Sequence, residues 1–282
     1  MSEPQTYTLE TPGAVLSYDV WDNGRSERPV LLLIGAPMSA AGFTALAGQF
    51  GDRTVATYDP RGTDRSHRTD GKPPGSTPDE HAEDLRKLIQ ALTDGPADVF
   101  GSSGGAINAL VLVGKQPGLV RTLLAHEPPA ARELPDRDVL LATCADIRER
   151  YQRSGFGPAM AEFLAMVSQE GPLPPNFGQR PAPDPARFGL PGQDDGSRDH
   201  PLLGLHMTAC AGQQLDFAAL RAAPTRIILG IGAQSGRLMP GRAAVAVADR
   251  LGTTPVTFPG GHDGFATDPD AFAVVLRSVL DG

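Results

Sequence analysis

The sequence predicts an α/β protein: a mainly parallel sheet flanked by helices and interrupted once by a helical insertion. Three observations predict it. Strand-length apolar runs alternate with helix-periodic segments, the pattern of parallel strands joined by crossover helices. One strand-to-helix junction is the pentad Gly101-Ser102-Ser103-Gly104-Gly105, a turn whose glycines, lacking a Cβ, let it pack tightly. The alternation then stops after Pro129 and resumes near residue 216.

Taken in order, Tyr7–Leu9 and Val15–Trp21 alternate apolar and polar residues and suit an antiparallel hairpin. Val30–Ile34 and Thr54–Tyr58 read as buried strands. Pro78–Leu92 has apolar residues at helical spacing behind Thr77, a good N-cap. Ala97–Phe100 is a strand that enters the pentad, and Gly105–Leu112 is the helix that leaves it. Val120–His126, Thr225–Ile231 and Thr254–Phe258 are further strands, and Pro269–Leu280 closes the chain as a helix. Within the interruption, Asp136–Arg153 and Pro158–Ser168 read as helices, and Leu202–Gln214 resumes a helical pattern. Between them Pro172–Asp199, rich in Pro, Gly, Asp and Arg, reads as irregular, as a functional loop, a lid or a disordered segment does. Residues 1–129 and 216–282 therefore form the core, and residues 130–215 a cap inserted in it.

Composition narrows the function classes. At 282 residues the chain can bury a sizeable core, and a net charge of −8 with no basic stripe argues against a nucleic-acid partner. Cys144 and Cys210 lie far apart and make no disulfide framework, which fits a reducing compartment. The N-terminal residues lack a signal-peptide pattern, and no apolar run approaches the ~18 residues a membrane span needs. A cytoplasmic protein without a membrane partner is expected; a homodimer stays open. No histidine or cysteine cluster has metal-ligand spacing, so neither a metal nor a cofactor is expected.

The pentad reads G-x-S-x-G between strand and helix, the layout of a turn that holds a serine hydroxyl clear of a sheet. Its middle residue, Ser103, is favoured over Ser102 as nucleophile. A serine hydroxyl needs a base within hydrogen-bond reach. Pro259-Gly260-Gly261-His262-Asp263-Gly264 presents such a base, His262, in the last loop after a strand. Asp263, next to it in the chain, points elsewhere and suits a loop cap. Further similarity lies in Gly35-Ala36-Pro37-Met38 after one strand and Asp59-Pro60-Arg61-Gly62-Thr63-Asp64-Arg65-Ser66 after the next. With these motifs the chain resembles the α/β-hydrolase family over residues ~6–130 and ~220–282. It departs from the family's usual pattern at Ile34, where a histidine is frequent, and at Asp64, where a glycine is frequent.

The resemblance implies a mostly parallel eight-stranded sheet with the cap after the sixth strand. It implies Ser103 as nucleophile and His262 as base, with backbone N–H groups of Ala36 and Gly104 as the oxyanion hole. The acid usually follows the seventh strand, but Gly232-Ala233-Gln234-Ser235-Gly236 holds no carboxylate there. Some members carry it at the end of the sixth strand, where Ala125-His126-Glu127-Pro128 resembles zearalenone-type lactonases. The acid implied is Glu127. Those lactonases set a cap tryptophan against their ligand. The single tryptophan here, Trp21, lies outside the cap, which points to a different ester or lactone.

Other candidates follow from position. His126 either lines the pocket or satisfies a buried hydrogen bond, and His206 could face the pocket. His67, His81 and His200 sit in polar stretches and are expected in solvent. Asp59 and Arg61 read as a structural turn pair. Apolar residues with Met and Phe suit a flexible binding cavity, and Met38, His126, Met160, Phe163, His206 and Met207 are the expected substrate contacts. The reading is a serine hydrolase acting on a small apolar carboxylic ester or lactone. A cofactor-free peroxidase-type or C–C bond hydrolase would share the triad, and a non-catalytic small-ligand receptor would share the fold. Epoxide hydrolases and haloalkane dehalogenases place aspartate at the elbow, unlike this chain.

Overall fold

The computed structural model describes residues 3–22, 24 and 26–282. A hairpin of β1 (Gln5–Thr11) and β2 (Ala14–Trp21) opens the sheet, with Thr11 paired to Ala14 across a turn where Gly13 has φ 79°. β2 runs antiparallel to β4 (Val55–Tyr58). From there every pairing on the main path is parallel: β4 with β3 (Leu31–Ile34), then β6 (Ala97–Ser102), β7 (Val120–His126), β8 (Arg226–Gly232) and β9 (Val256–Phe258). The order is β1-β2-β4-β3-β6-β7-β8-β9. The ninth strand, beyond the eight expected, is the two-residue β5 (His67–Arg68), which pairs with β2 off this path.

The central strands are short, apolar and buried on both faces, as parallel strands covered by helices must be. Their alternation divides the core. Leu32 and Ile34 of β3 join one apolar cluster, while Leu31 and Leu33 join the other. The helices between β3 and β7 are α1 (Thr44–Ala47), α2 (Pro78–Leu92) and α3 (Gly104–Lys115). The Thr77 side chain accepts from Glu80 N and the Glu80 carboxylate accepts from Thr77 N, a reciprocal cap that starts α2.

Between β7 and β8 the chain builds α4 (Arg137–Ser154), α5 (Phe156–Val167), a π-helical turn (Leu202–His206), α6 (Met207–Ala211) and α7 (Phe217–Ala222). Residues 172–199 contain only the short 3-10 turns Phe177–Gln179 and Pro185–Phe188. After β8 come α8 (Met239–Leu251), α9 (Gly264–Thr267) and α10 (Pro269–Asp281). No element was expected at α8; buried Ala243, Ala244, Val247 and Ala248 at helical spacing and the left-handed Gly252 at its end are the signals for it. Arg242 of α8 pairs with Asp136 at the start of α4 and ties insert to core.

Two local expectations are corrected. Asp59 and Arg61 are not partners. Asp59 accepts from Ala40 N at 2.9 Å and from Arg65 Nε at 2.6 Å, while Arg61 forks onto buried Asp84 of α2. His81 is 2% exposed rather than solvated, because α2 turns it onto Ser76 Oγ at 2.6 Å. His67 is exposed, and His200 is half-buried with its ring 5.1 Å from that of Phe156. Cys144 and Cys210 are buried free thiols. Among the described residues no helix is long and apolar enough to cross a membrane.

Candidate active site

The site lies where three neighbouring parallel strands end. β6 and β7 are in register at Ser102 and His126, and β7 and β8 at His126 and Gly230. Ser103 and Glu127 are therefore each the next residue past a paired position, side by side at adjacent strand tips. Both have backbones that non-glycine residues rarely adopt: Ser103 has φ 54° and Glu127 φ 46°. Such conformations cost about 1–3 kcal/mol each and persist only when the surroundings impose them. At Ser103 the imposition is hydrogen bonding. Its N–H donates to the His126 carbonyl at 2.9 Å, and its own carbonyl accepts from Ala106 N at 3.0 Å as α3 begins. The flanking glycines are sterically required. A Cβ on Gly101 would stand 2.9 Å from the Gly105 carbonyl, and one on Gly105 would stand 2.6 Å from the Ile34 carbonyl.

Glu127 is fully buried, which alone would disfavour its charged form. Its two carboxylate oxygens are both engaged: Oε1 accepts from Gly232 N at 2.8 Å, and Oε2 lies 2.6 Å from His262 Nδ1. Burial pushes its pKa upward, but the His262 hydrogen bond, the neighbouring imidazoles and the Gly232 N–H outweigh it and hold the carboxyl below its ordinary 4.5. His262 sits on the loop after β9, within the turn that leads into α9. There Gly261 packs so close to β8 that a Cβ on Gly232 would stand 2.6 Å from the Gly261 carbonyl. Ser103, Glu127 and His262 line one cavity of about 540 Å³.

Gly104 is the first residue of α3, and the N–H groups of a helix's first turn have no carbonyl ahead of them to bond. Gly104 and Ala36 border the same cavity. A hydroxyl on a strained turn, a carboxylate-held imidazole and a helix start bordering one apolar space form a set that can attack an acyl carbon and stabilise the oxyanion that forms.

Of the expected substrate contacts, Phe163, His206 and Met207 line the cavity. Met38, His126 and Met160 do not. Met38 packs in the second core cluster and Met160 against the first. The period of β7 turns the His126 ring to the far face of the sheet, among Phe100, Phe258, Phe265 and Phe272. Its Nδ1 reaches only Ser102 Oγ at 3.5 Å, and its Nε2 has no partner among the described residues. Burial depresses its pKa to about 4. The expectations missed Leu238, Met239 and Pro240, which enter the wall at the start of α8, and the thiols Cys144 and Cys210 on α4 and α6. Their signal was only apolar content; which face of each helix meets the cavity is decided by packing.

The family is shown by a profile match, and the solved structures share the fold. The sequence profile of the alpha/beta hydrolase fold matches residues 28–188, more than half of the chain. An uncharacterized hydrolase of Bacillus subtilis, YraK, is 29% identical over 97% of this chain and 95% of its own length. Among solved structures, a thermophilic esterase from Thermogutta terrifontis superposes with a TM-score of 0.68 at 21% identity, covering 99% of this chain and 98% of that one. The enol-lactonase of Burkholderia xenovorans LB400 does so with a TM-score of 0.66 at 15% identity, covering 98% and 100%. By profile, strand order and the elbow at Ser103, the chain belongs to the α/β-hydrolase family.

Proposed function

We propose that the protein is a serine hydrolase that cleaves a small, uncharged, apolar carboxylic ester or lactone through an acyl-enzyme. The observation that carries the reading is the 2.6 Å contact between His262 Nδ1 and a buried Glu127 carboxylate in the wall of the cavity that Ser103 also lines. The carboxylate fixes the Nδ1–H tautomer, so that Nε2 is the basic nitrogen. Ser103 Oγ then attacks the carbonyl carbon as His262 takes its proton, and the oxyanion is met by the N–H groups of Gly104 and Ala36. The imidazolium gives the proton to the leaving alkoxide. Water, deprotonated by the same imidazole, releases the acid. Glu127 does not take up the proton; it stabilises the imidazolium.

The cavity wall supports an apolar substrate. Apart from Ser103, Ser168, Glu127 and the histidines it consists mostly of apolar side chains such as Phe163, Leu164, Met166, Met207 and Met239, with no lysine or arginine among its lining residues to receive a carboxylate. A lactone is kept within the class because Glu127 occupies the strand-end position that resembles the zearalenone-type lactonases. The supported tautomer also disfavours a ligand receptor, which needs no oriented base.

The test is turnover of p-nitrophenyl butanoate and of a medium-ring lactone by the wild-type chain and by Ser103→Ala. Loss of at least about 10⁴-fold in kcat is expected for the variant. Labelling by an organophosphonate at any residue other than Ser103, or persistence of turnover in the variant, overturns the assignment.

A further inference from the structure

His206 is the imidazole that the insert brings to the cavity, beside Gly104. It ends the π-helical turn Leu202–His206, is 3% exposed, and faces the cavity. Single π-turns are costly interruptions that recur at functional sites. Its Nε2 lies 3.1 Å from the carbonyl oxygen of Ala36. The same nitrogen stands against Gly104, where an added Cβ would collide with both the ring and the Ala36 carbonyl. The imidazole therefore fills the space that a side chain after the nucleophile would otherwise occupy. It touches both residues whose N–H groups form the proposed oxyanion hole.

The ring is braced from behind. It packs edge-on to His81 at 5.3 Å, and His81 is itself bonded to Ser76 Oγ at 2.6 Å. The preceding residue, Leu205, presses on Gly75, where a Cβ would stand 2.6 Å from the Leu205 Cβ. Cys210 Sγ lies 3.4 Å from Nε2. Burial holds the pKa of His206 down to about 4, against hydrogen bonds to the backbone of Ala36 and of Ser76, so at neutral pH the ring carries one N–H for two backbone partners. That N–H is assigned to Nε2, the nitrogen 3.1 Å from the Ala36 carbonyl.

Resting on the Ser103 reading above, we propose that His206 is a positioning residue for the oxyanion hole. Docked from the insert against Gly104 and donating to the Ala36 carbonyl, it holds the Ala36 backbone in the orientation that aims its N–H into the site. The hole is complete only while the insert is seated. Without the donor, the Ala36 carbonyl would present an unpaired negative dipole beside a developing negative charge.

The experiment compares His206→Leu, which fills the space without a donor, with His206→Gln, which keeps one, each checked for folding by thermal melting. Misplacing a catalytic group by about 1 Å can cost on the order of 100-fold. His206→Leu is therefore expected to lower kcat on p-nitrophenyl butanoate by about 10–100-fold, with KM within about threefold, and His206→Gln to recover most of the loss. A trifluoromethyl ketone, which takes up the Ser103 oxygen to form an oxyanion, should bind His206→Leu weaker by the same factor. The matching unreactive methyl ketone should bind unchanged. An unaltered kcat in His206→Leu, a loss confined to KM, or equal weakening of both ketones overturns the proposal. Turnover that survives Ser103→Ala overturns the serine reading instead, and is recognised before any His206 variant is made.

Discussion

Two adjacent strand tips, those of β7 and β8, divide one task. The β7 tip carries Glu127, wholly buried, with an oxygen toward each neighbour. The β8 tip, where the family's acid usually stands, runs through Gly232-Ala233-Gln234-Ser235-Gly236 and offers a backbone N–H to that carboxylate. Ser235 beside it is buried, and its hydroxyl has no hydrogen-bond partner among the described residues. The difference teaches that a buried acid is a property of two tips together. One supplies the charge. The other supplies the donor that keeps the charge affordable to bury, and glycine at Gly232 lets the His262 loop come close enough to share it.

This contrast can be broken at several levels. The largest effect is expected from Glu127→Gln, which leaves the shape and removes the charge. Kcat on an activated ester should fall about 10²–10⁴-fold, as when a triad carboxylate is lost. A fall under about tenfold would place the acid elsewhere. Glu127→Asp shortens the arm by one methylene, so that one oxygen can no longer reach Gly232 N while the other reaches His262. An intermediate loss, about tenfold in kcat, is expected from the same assay.

A smaller effect is read in stability. His126, under the β7 tip, and His206 both have folded pKa values near 4 against an ordinary 6.5. The unfolded chain therefore takes up their protons first as the pH falls. From these two histidines stability should drop from about pH 6.5 downward, by about 3 kcal/mol per histidine at most, and buried His81, whose pKa burial lowers still further, extends the loss to lower pH. Glu127 works in the same direction at lower pH. Its folded pKa is depressed, so the stability it contributes is present above its unfolded value and fades as the pH falls through the folded one. Thermal melts between pH 8 and pH 4 test this, and His126→Phe, isosteric with its aromatic neighbours, should flatten part of the slope. The smallest effect is expected at the other tip. Ser235→Ala should change kcat by less than about threefold. It should leave the melting temperature unchanged or raise it by the equivalent of about 1 kcal/mol, because it deletes an unpaired buried hydroxyl.

How much could be read beforehand follows the range of the interactions. The elbow is local: five consecutive residues between an apolar strand and a helix dictate a turn that only glycines can flank, so Ser103 is legible from its neighbours. The α2 cap at Thr77 is local in the same way. Pairing Glu127 with His262 spans 135 positions. Only the likeness to a family indicated it, and the register of three strands realises it. The histidines show the limit. His81 sits in a polar stretch yet is turned onto Ser76 by α2, and His126, expected at the pocket or on a buried hydrogen bond, is turned under the sheet by the two-residue period of β7. The wall contributed by α8 was illegible for a related reason. Its alanines and valines mark a helix, but nothing local says that Leu238, Met239 and Pro240 end at the cavity.

By itself, then, the sequence determined an α/β sheet, a serine on a strained turn and a histidine in the last loop, because strand period, helix period and glycine turns act over a few residues. Tertiary structure decided which carboxylate meets that histidine, which face of each insert helix lines the cavity, and that His206 rests against Gly104 and Ala36. Those contacts join residues far apart in the chain, and only the register of packed elements brings them within a hydrogen bond's length.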